Sequence, residues 1–377
     1  MSEGPGILLT VASFLLVIGP LVFLHELGHY LAGRAFGIHA EAFSIGFGRE
    51  IAGWTDRAGT RWKVALLPLG GYVKFAGDMN AAGRSDPAWQ ALPAAERART
   101  FQAKPLWQRA IVVAAGPFAN FVVAILIVAG FLATYGEMKT PPVVAGLVEG
   151  SSAAAAGLRP GDRITALGGR GVETFGDLVE LVRIHPGEPL DLAFERGGQP
   201  LTTVITPAAI QERDRFGNHF RIGAIGVRSG PQTFATVGPL EVLPRAVIHT
   251  ASMLRTMVDT LGQIVTGRRS LDELGGPLKI AQVSGQQATL GAANLLFLVA
   301  MVSINLGFIN LLPIPMLDGG HLLFYAIEAV RRRPVPVAAQ EWAFRSGVAL
   351  LFGFMLFVTL NDLASFGLWQ RLAGLIG

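Results

Sequence analysis

The sequence predicts a polytopic α-helical membrane protein with about four transmembrane helices, interrupted by one soluble insert. Three observations carry this. Of 377 residues, 51% are hydrophobic and only 15% charged, with a mean hydropathy of +0.46. A soluble chain of this length needs more charge to cover its surface. Four stretches are long and apolar enough to cross a hydrocarbon layer of roughly 30 Å, and between the second and third the composition returns to that of a globular domain.

The first span runs from about Gly6 to Leu31. Its leader, MSEGPG, has no positive side chain, so the segment reads as a permanent span and not as a cleaved signal peptide. Inside it, HELGH (His25 to His29) spells H-E-x-x-H. Residues four apart share a helix face, so both imidazoles can close on one ion. Zinc accepts two such nitrogens, a third ligand and a water, and Glu26 is placed to take a proton from that water. By residue frequency the pattern arises by chance in roughly one chain in two hundred, so alone it also fits two packed histidines beside a solvated glutamate. Its place in a span favours a site, because intramembrane ionisable groups are rare and usually mark one.

After the first span, VALLPLGGYV (Val64 to Val73) is too short to cross as a helix and contains Pro and Gly-Gly. It predicts a re-entrant membrane β-hairpin whose free edge, Gly70, Gly71 and Tyr72, binds a substrate as an extended strand. An ordinary cytoplasmic hairpin is the plainer alternative. The second span is expected from Ala110 to Thr134. From Leu240 to Val265, Leu243, Val247, Leu254, Val258 and Leu261 recur at helical spacing, which predicts an amphipathic helix on the outer membrane face. The third and fourth spans are expected from Ala292 to Leu312 and from Gly347 to Leu368.

A third ligand must come from elsewhere, and NLLPIPMLDGGHL (Asn310 to Leu322) supplies a candidate. Pro313 and Pro315 cannot continue a helix, and irregular backbone at membrane depth is tolerated where it lines a cavity. Asp318 sits in that break. It also reads as a helix N-cap, and His321, on the same turn, is a rival ligand or a packing residue.

The chain has no cysteine, which excludes thiolate ligands, disulfides and a cysteine nucleophile. Its isoelectric point of 9.7 does not call for nucleic acid. Arg34, Arg49, Arg97, Arg99, Lys104 and Arg109 flank the first connection, and Arg331, Arg332, Arg333 and Arg345 the third. The positive-inside bias therefore puts both connections in the cytoplasm, and both termini and the insert outside.

Together these stretches resemble the site-2 protease family of intramembrane zinc metalloproteases, in the bacterial regulator of sigma-E protease form. HELGH and NLLPIPMLDGG are similar to its two zinc motifs, and FSIGFG (Phe43 to Gly48), PLGGYVKFAGD (Pro68 to Asp78), AAGPFANF (Ala114 to Phe121) and SINLGFINLLP (Ser303 to Pro313) also resemble it. The resemblance implies Zn2+ held by His25, His29 and Asp318, Glu26 as catalytic acid and base, and Asn305 and Asn310 as substrate contacts. It implies a bacterial inner-membrane protease of single-pass membrane proteins, such as an anti-sigma factor or a remnant signal peptide. Val143 to Val182 resembles a PDZ domain, with a last strand at Arg221 to Val227, so the insert is expected to be an extracytoplasmic PDZ-like α/β domain that grips peptides or only restricts access. The expected domains are residues 1–135, 136–228, 229–290 and 291–377. A non-catalytic PDZ membrane adaptor and a metal transporter are the alternatives. An intact Glu26 speaks against the first, and the lack of a repeated half-structure against the second.

Overall fold

The computed structural model describes residues 6–77, 91–213, 219–266 and 275–365. Two compact units emerge, residues 1–130 with 240–377 and residues 131–239.

The chain opens with α1 (Ile7–Ala35), which outruns the apolar window and ends with Arg34 in its last turn, where a cation suits the helix dipole. Next come β1 (Ala40–Thr55) and β2 (Arg61–Phe75), an antiparallel pair longer than the expected hairpin. Both strands bend back on themselves. Residues 42–45 pair with 71–74 on one side and with 61–64 on the other, while 61–64 also pair with 52–55. The result is a small sheet of four runs whose outer runs are Gly71–Lys74 and Ala52–Thr55. The bend exposes Phe47, Ile51, Leu66 and Leu67. A short α2 (Ala94–Arg97) leads to α3 (Leu106–Tyr135), which starts directly after Pro105, ahead of the expected Ala110, because proline suits a helix entry.

The second unit contains β3 (Glu137–Lys139), β4 (Val144–Leu147), α4 (Ser152–Ala155), β5 (Arg163–Leu167), β6 (Arg170–Gly171), α5 (Phe175–Arg183), β7 (Leu190–Arg196), β8 (Gln199–Ile205), β9 (Ala208–Arg213), β10 (His219–Ala224), β11 (Val227–Ser229) and β12 (Thr233–Ala235). Its main sheet has the order β6-β5-β7-β8. Ile164, Leu167, Leu178, Leu192 and Ile205 form its core, each burial contributing about 1.5–3 kcal/mol. Thr174 and Asp177 close a capping box on α5. The expected strand from Arg221 to Val227 is broken in two, since Gly226 takes φ +74° between β10 and β11.

The chain then returns to the first unit through α6 (Pro239–Val265), α7 (Pro277–Thr289), α8 (Ala292–Leu311), α9 (Asp318–Arg331) and α10 (Val337–Ser365). On α6, Leu240, Leu243, Val247 and Val258 are exposed. Helix α7, which no separate signal in the sequence marks, packs against α1. By length and composition α1, α3, α8 and α10 can cross a membrane. Helix α10 begins well before Gly347, because the Glu341–Arg345 pair supports its polar first turns. The expected end of that span at Leu368 lies outside the described residues.

A core of Ile38, Ala40, Phe75, Phe101, Val112 and Val113, with Tyr30, Leu322 and Tyr325 packed on it, joins α1, the hairpin, α3 and α9. Arg109 of α3 pairs with Glu328 of α9 at 3.6 Å and lies over the Tyr325 ring. The helix that begins with Asp318 is braced in this way.

Candidate metal centre

Each element brings one part of the site. One turn of α1 puts His25 and His29 side by side, with Nε2 atoms 3.2 Å apart. The break after α8 ends at Asp318, the first residue of α9. Gly319 and Gly320 lie so close to the carbonyls of Leu311, Leu312 and Ile314 that a side chain has no room there. Met316 takes φ +85° in this turn, a conformation that costs an ordinary side chain about 1–3 kcal/mol.

The remote parts converge. Oδ2 of Asp318 is 3.2 Å from Nε2 of His25, and Oδ1 is 3.5 Å from Nε2 of His29. Among the described residues these three form the group able to hold a metal ion. Ligand atoms on a tetrahedron with bonds of about 2.0–2.1 Å stand roughly 3.3–3.4 Å apart; the two imidazole nitrogens and the carboxylate of Asp318, with one oxygen toward each ring, are close enough together to share an ion. Oδ2 of Asp318, although 3.2 Å from His25, is a buried atom without a well-directed hydrogen bond among the described residues. Donor atoms that face a shared point, and not each other, have this arrangement. The residues fit zinc.

Both imidazoles are held from behind by α3. Nδ1 of His29 is 2.8 Å from the Val112 carbonyl, and Nδ1 of His25 is 3.1 Å from the Asn120 side-chain amide. A Cβ on Gly116 would collide with the His29 ring. Residues 112, 116 and 120 recur every four positions and so share one face of α3. The AAGPFANF stretch was recognisable as a motif, but neither a backbone acceptor nor an absent side chain announces its role in a sequence.

Glu26 is 9% exposed and receives a backbone hydrogen bond from Val73 of β2. Gly71 permits this approach, since a Cβ there would come within 3.0 Å of Cγ of Glu26. A cavity of about 640 Å3 opens beside these groups, and Gly70, Gly71, Tyr72, Asn310 and His321 all line it. Asn305 does not; it is exposed on α8.

Comparisons with known proteins identify the family. The profile described as peptidase family M50 matches residues 13–354. A relative from Agrobacterium fabrum that carries a zinc-metalloprotease name is 47% identical over 360 residues, 94% of this chain and 96% of its own. Metalloprotease MmpA of Caulobacter vibrioides is 39% identical over 396 residues, 98% and 99% of the two chains. A PDZ domain from Listeria monocytogenes aligns at 21% identity and a TM-score of 0.19, over 26% of this chain and 90% of that one. The chain is a membrane metalloprotease and belongs to peptidase family M50, the site-2 protease family.

Proposed function

We propose that the protein is an intramembrane zinc protease that cuts single-pass membrane proteins in or near their transmembrane segments. The supporting observation is the convergence of His25, His29 and Asp318 beside Glu26 in one cavity. Zinc at these three residues would supply Lewis acidity and lower the pKa of a water there. Glu26 takes a proton from the attacking water and passes it to the leaving nitrogen. Helical carbonyls are hydrogen-bonded and shielded, so the substrate must be extended when attacked. The outer run Gly71–Lys74 beside Glu26 offers an edge for such a strand, and Asn310 is near enough in the same cavity to orient it. The exposed apolar bend of the hairpin supports its re-entry into the membrane.

In this reading the protein lies in a bacterial inner membrane, with both termini and the insert outside. The insert is PDZ-like and selects what reaches the site. Suitable substrates are anti-sigma factors or remnant signal peptides whose cut releases a cytoplasmic fragment. The test is Glu26→Gln in the full-length protein. Bound zinc is retained, while cleavage of a reconstituted single-pass substrate falls by about 10²–10⁴-fold. Unchanged cleavage, or wild-type cleavage that survives complete chelation of zinc, would overturn the proposal.

A further inference from the structure

We infer that Asn120 is a positioning residue for the metal centre, whose side-chain carbonyl oxygen accepts the Nδ1 proton of His25 and so keeps the Nε2 lone pair free to bind the ion. The inference rests on the zinc reading above. Its grounds are separate, however, and lie on α3.

A neutral imidazole carries one ring proton. Nε2 of His25 stands 3.2 Å from both Nε2 of His29 and Oδ2 of Asp318, so with zinc bound it is the nitrogen that faces the ion. That nitrogen therefore carries the lone pair, and the proton belongs on Nδ1, where it needs an acceptor. Among the described residues, the side-chain group at hydrogen-bond distance from Nδ1 is the Asn120 amide, 3.1 Å away.

Asn120 is fully buried, and the two ends of its amide are alike in shape, so hydrogen bonding decides which one faces the ring. With NH2 toward Nδ1, two nitrogens face each other and the carbonyl oxygen Oδ1 is left buried without a partner. Turning the amide over brings Oδ1 onto the Nδ1 proton, so that a donor faces an acceptor and the two nitrogens no longer oppose each other. His29 shows the same pattern one turn along, where Nδ1 meets the Val112 carbonyl at 2.8 Å. Each zinc-facing histidine then donates backwards to an oxygen of α3, the arrangement that fixes the tautomer and raises ligand basicity at metal sites.

The Asn120 backbone is also fixed, for its carbonyl accepts a 2.8 Å hydrogen bond from the buried hydroxyl of Ser303 on α8. The amide is thus carried on a rigid element at the junction of α1, α3 and α8, as a positioning group has to be.

The experiment measures zinc affinity in the full-length protein in detergent, by competition with a chromophoric chelator, together with the visible spectrum of the cobalt-loaded protein. Asn120→Ala should bind zinc about 10–100-fold more weakly and change the cobalt bands. Asn120→Asp preserves the acceptor and the volume but has no NH2, so it should restore wild-type affinity and spectrum. Wild-type affinity in Asn120→Ala overturns the inference. So does an Asn120→Asp protein as weak as Asn120→Ala, since that result means NH2 faced the ring or the residue only fills space. Failure of the wild-type protein to bind zinc overturns the zinc reading as well, which separates the two claims.

Discussion

The imidazole of His29 occupies the space that a side chain at position 116 would fill. Gly116→Ala forces the ring or α3 to move, and the ring is the part with a hydrogen bond to lose. The expected outcome is a folded protein whose zinc affinity falls about 10–100-fold. Equilibrium dialysis of the metal, alongside a thermal melt, checks this.

Met316 holds a left-handed backbone conformation two residues before Asp318. Glycine adopts it freely, whereas β-branched residues are the least suited to it. Met316→Gly should therefore keep zinc affinity, and Met316→Val should lose stability by about 1–3 kcal/mol together with part of its metal binding. Equal behaviour of the two variants in denaturant titrations would contradict the strain argument.

Asp162 is buried in the second unit and takes two hydrogen bonds from the Arg196 guanidinium, at 2.7 and 2.8 Å. The hydrogen bonds from Arg196, aided by the Arg159 amide, hold its carboxyl below the usual carboxylate range. A carboxyl with a depressed folded-state pKa stabilises fully above its unfolded value, near 4, and loses that contribution as the pH falls through the folded value. Asp162→Asn should therefore flatten the acid limb of the stability curve. Hydrogen exchange of the β5 and β7 amides in the full-length protein, followed below pH 5, reads this directly.

The Arg109–Glu328 pair is largely buried between α3 and α9. Arg109→Met leaves the Glu328 carboxylate without its ion-pair partner, at a cost of about 3–5 kcal/mol. Replacing both residues, Arg109→Met with Glu328→Leu, should recover much of the stability. A double-mutant cycle on thermal unfolding measures the coupling, and a strictly additive cycle would contradict it.

Much of the candidate site was legible in the sequence because its chemistry lives in residue types. His25, Glu26 and His29 announced themselves by spacing, and Asp318 by its broken-helix context; the structure brings His25, His29 and Asp318 together. What stayed hidden depends on backbone or on empty space. The Val112 carbonyl is an acceptor that any residue would supply, and Gly116 matters for the atoms it lacks. The same holds for the fold. Apolarity marked four long helices, but it reported where a helix enters lipid and not where it starts, which is why α10 begins earlier than expected. The doubled-back hairpin is not legible in the sequence because residues 61–64 pair on both sides, and such use of one stretch twice leaves no periodic trace.

The ladder formed by Val112, Gly116 and Asn120 changes what it means to transplant this chemistry. An engineer who copies HELGH onto the helix of another bundle inherits two rings free to swivel about their own bonds. Nothing behind them would dictate which nitrogen looks forward. The smallest portable unit for the two rings alone is a pair of touching rods, α1 with the matching third of α3, held at a fixed azimuth, and the carboxylate of Asp318 has to be brought to them from a third element.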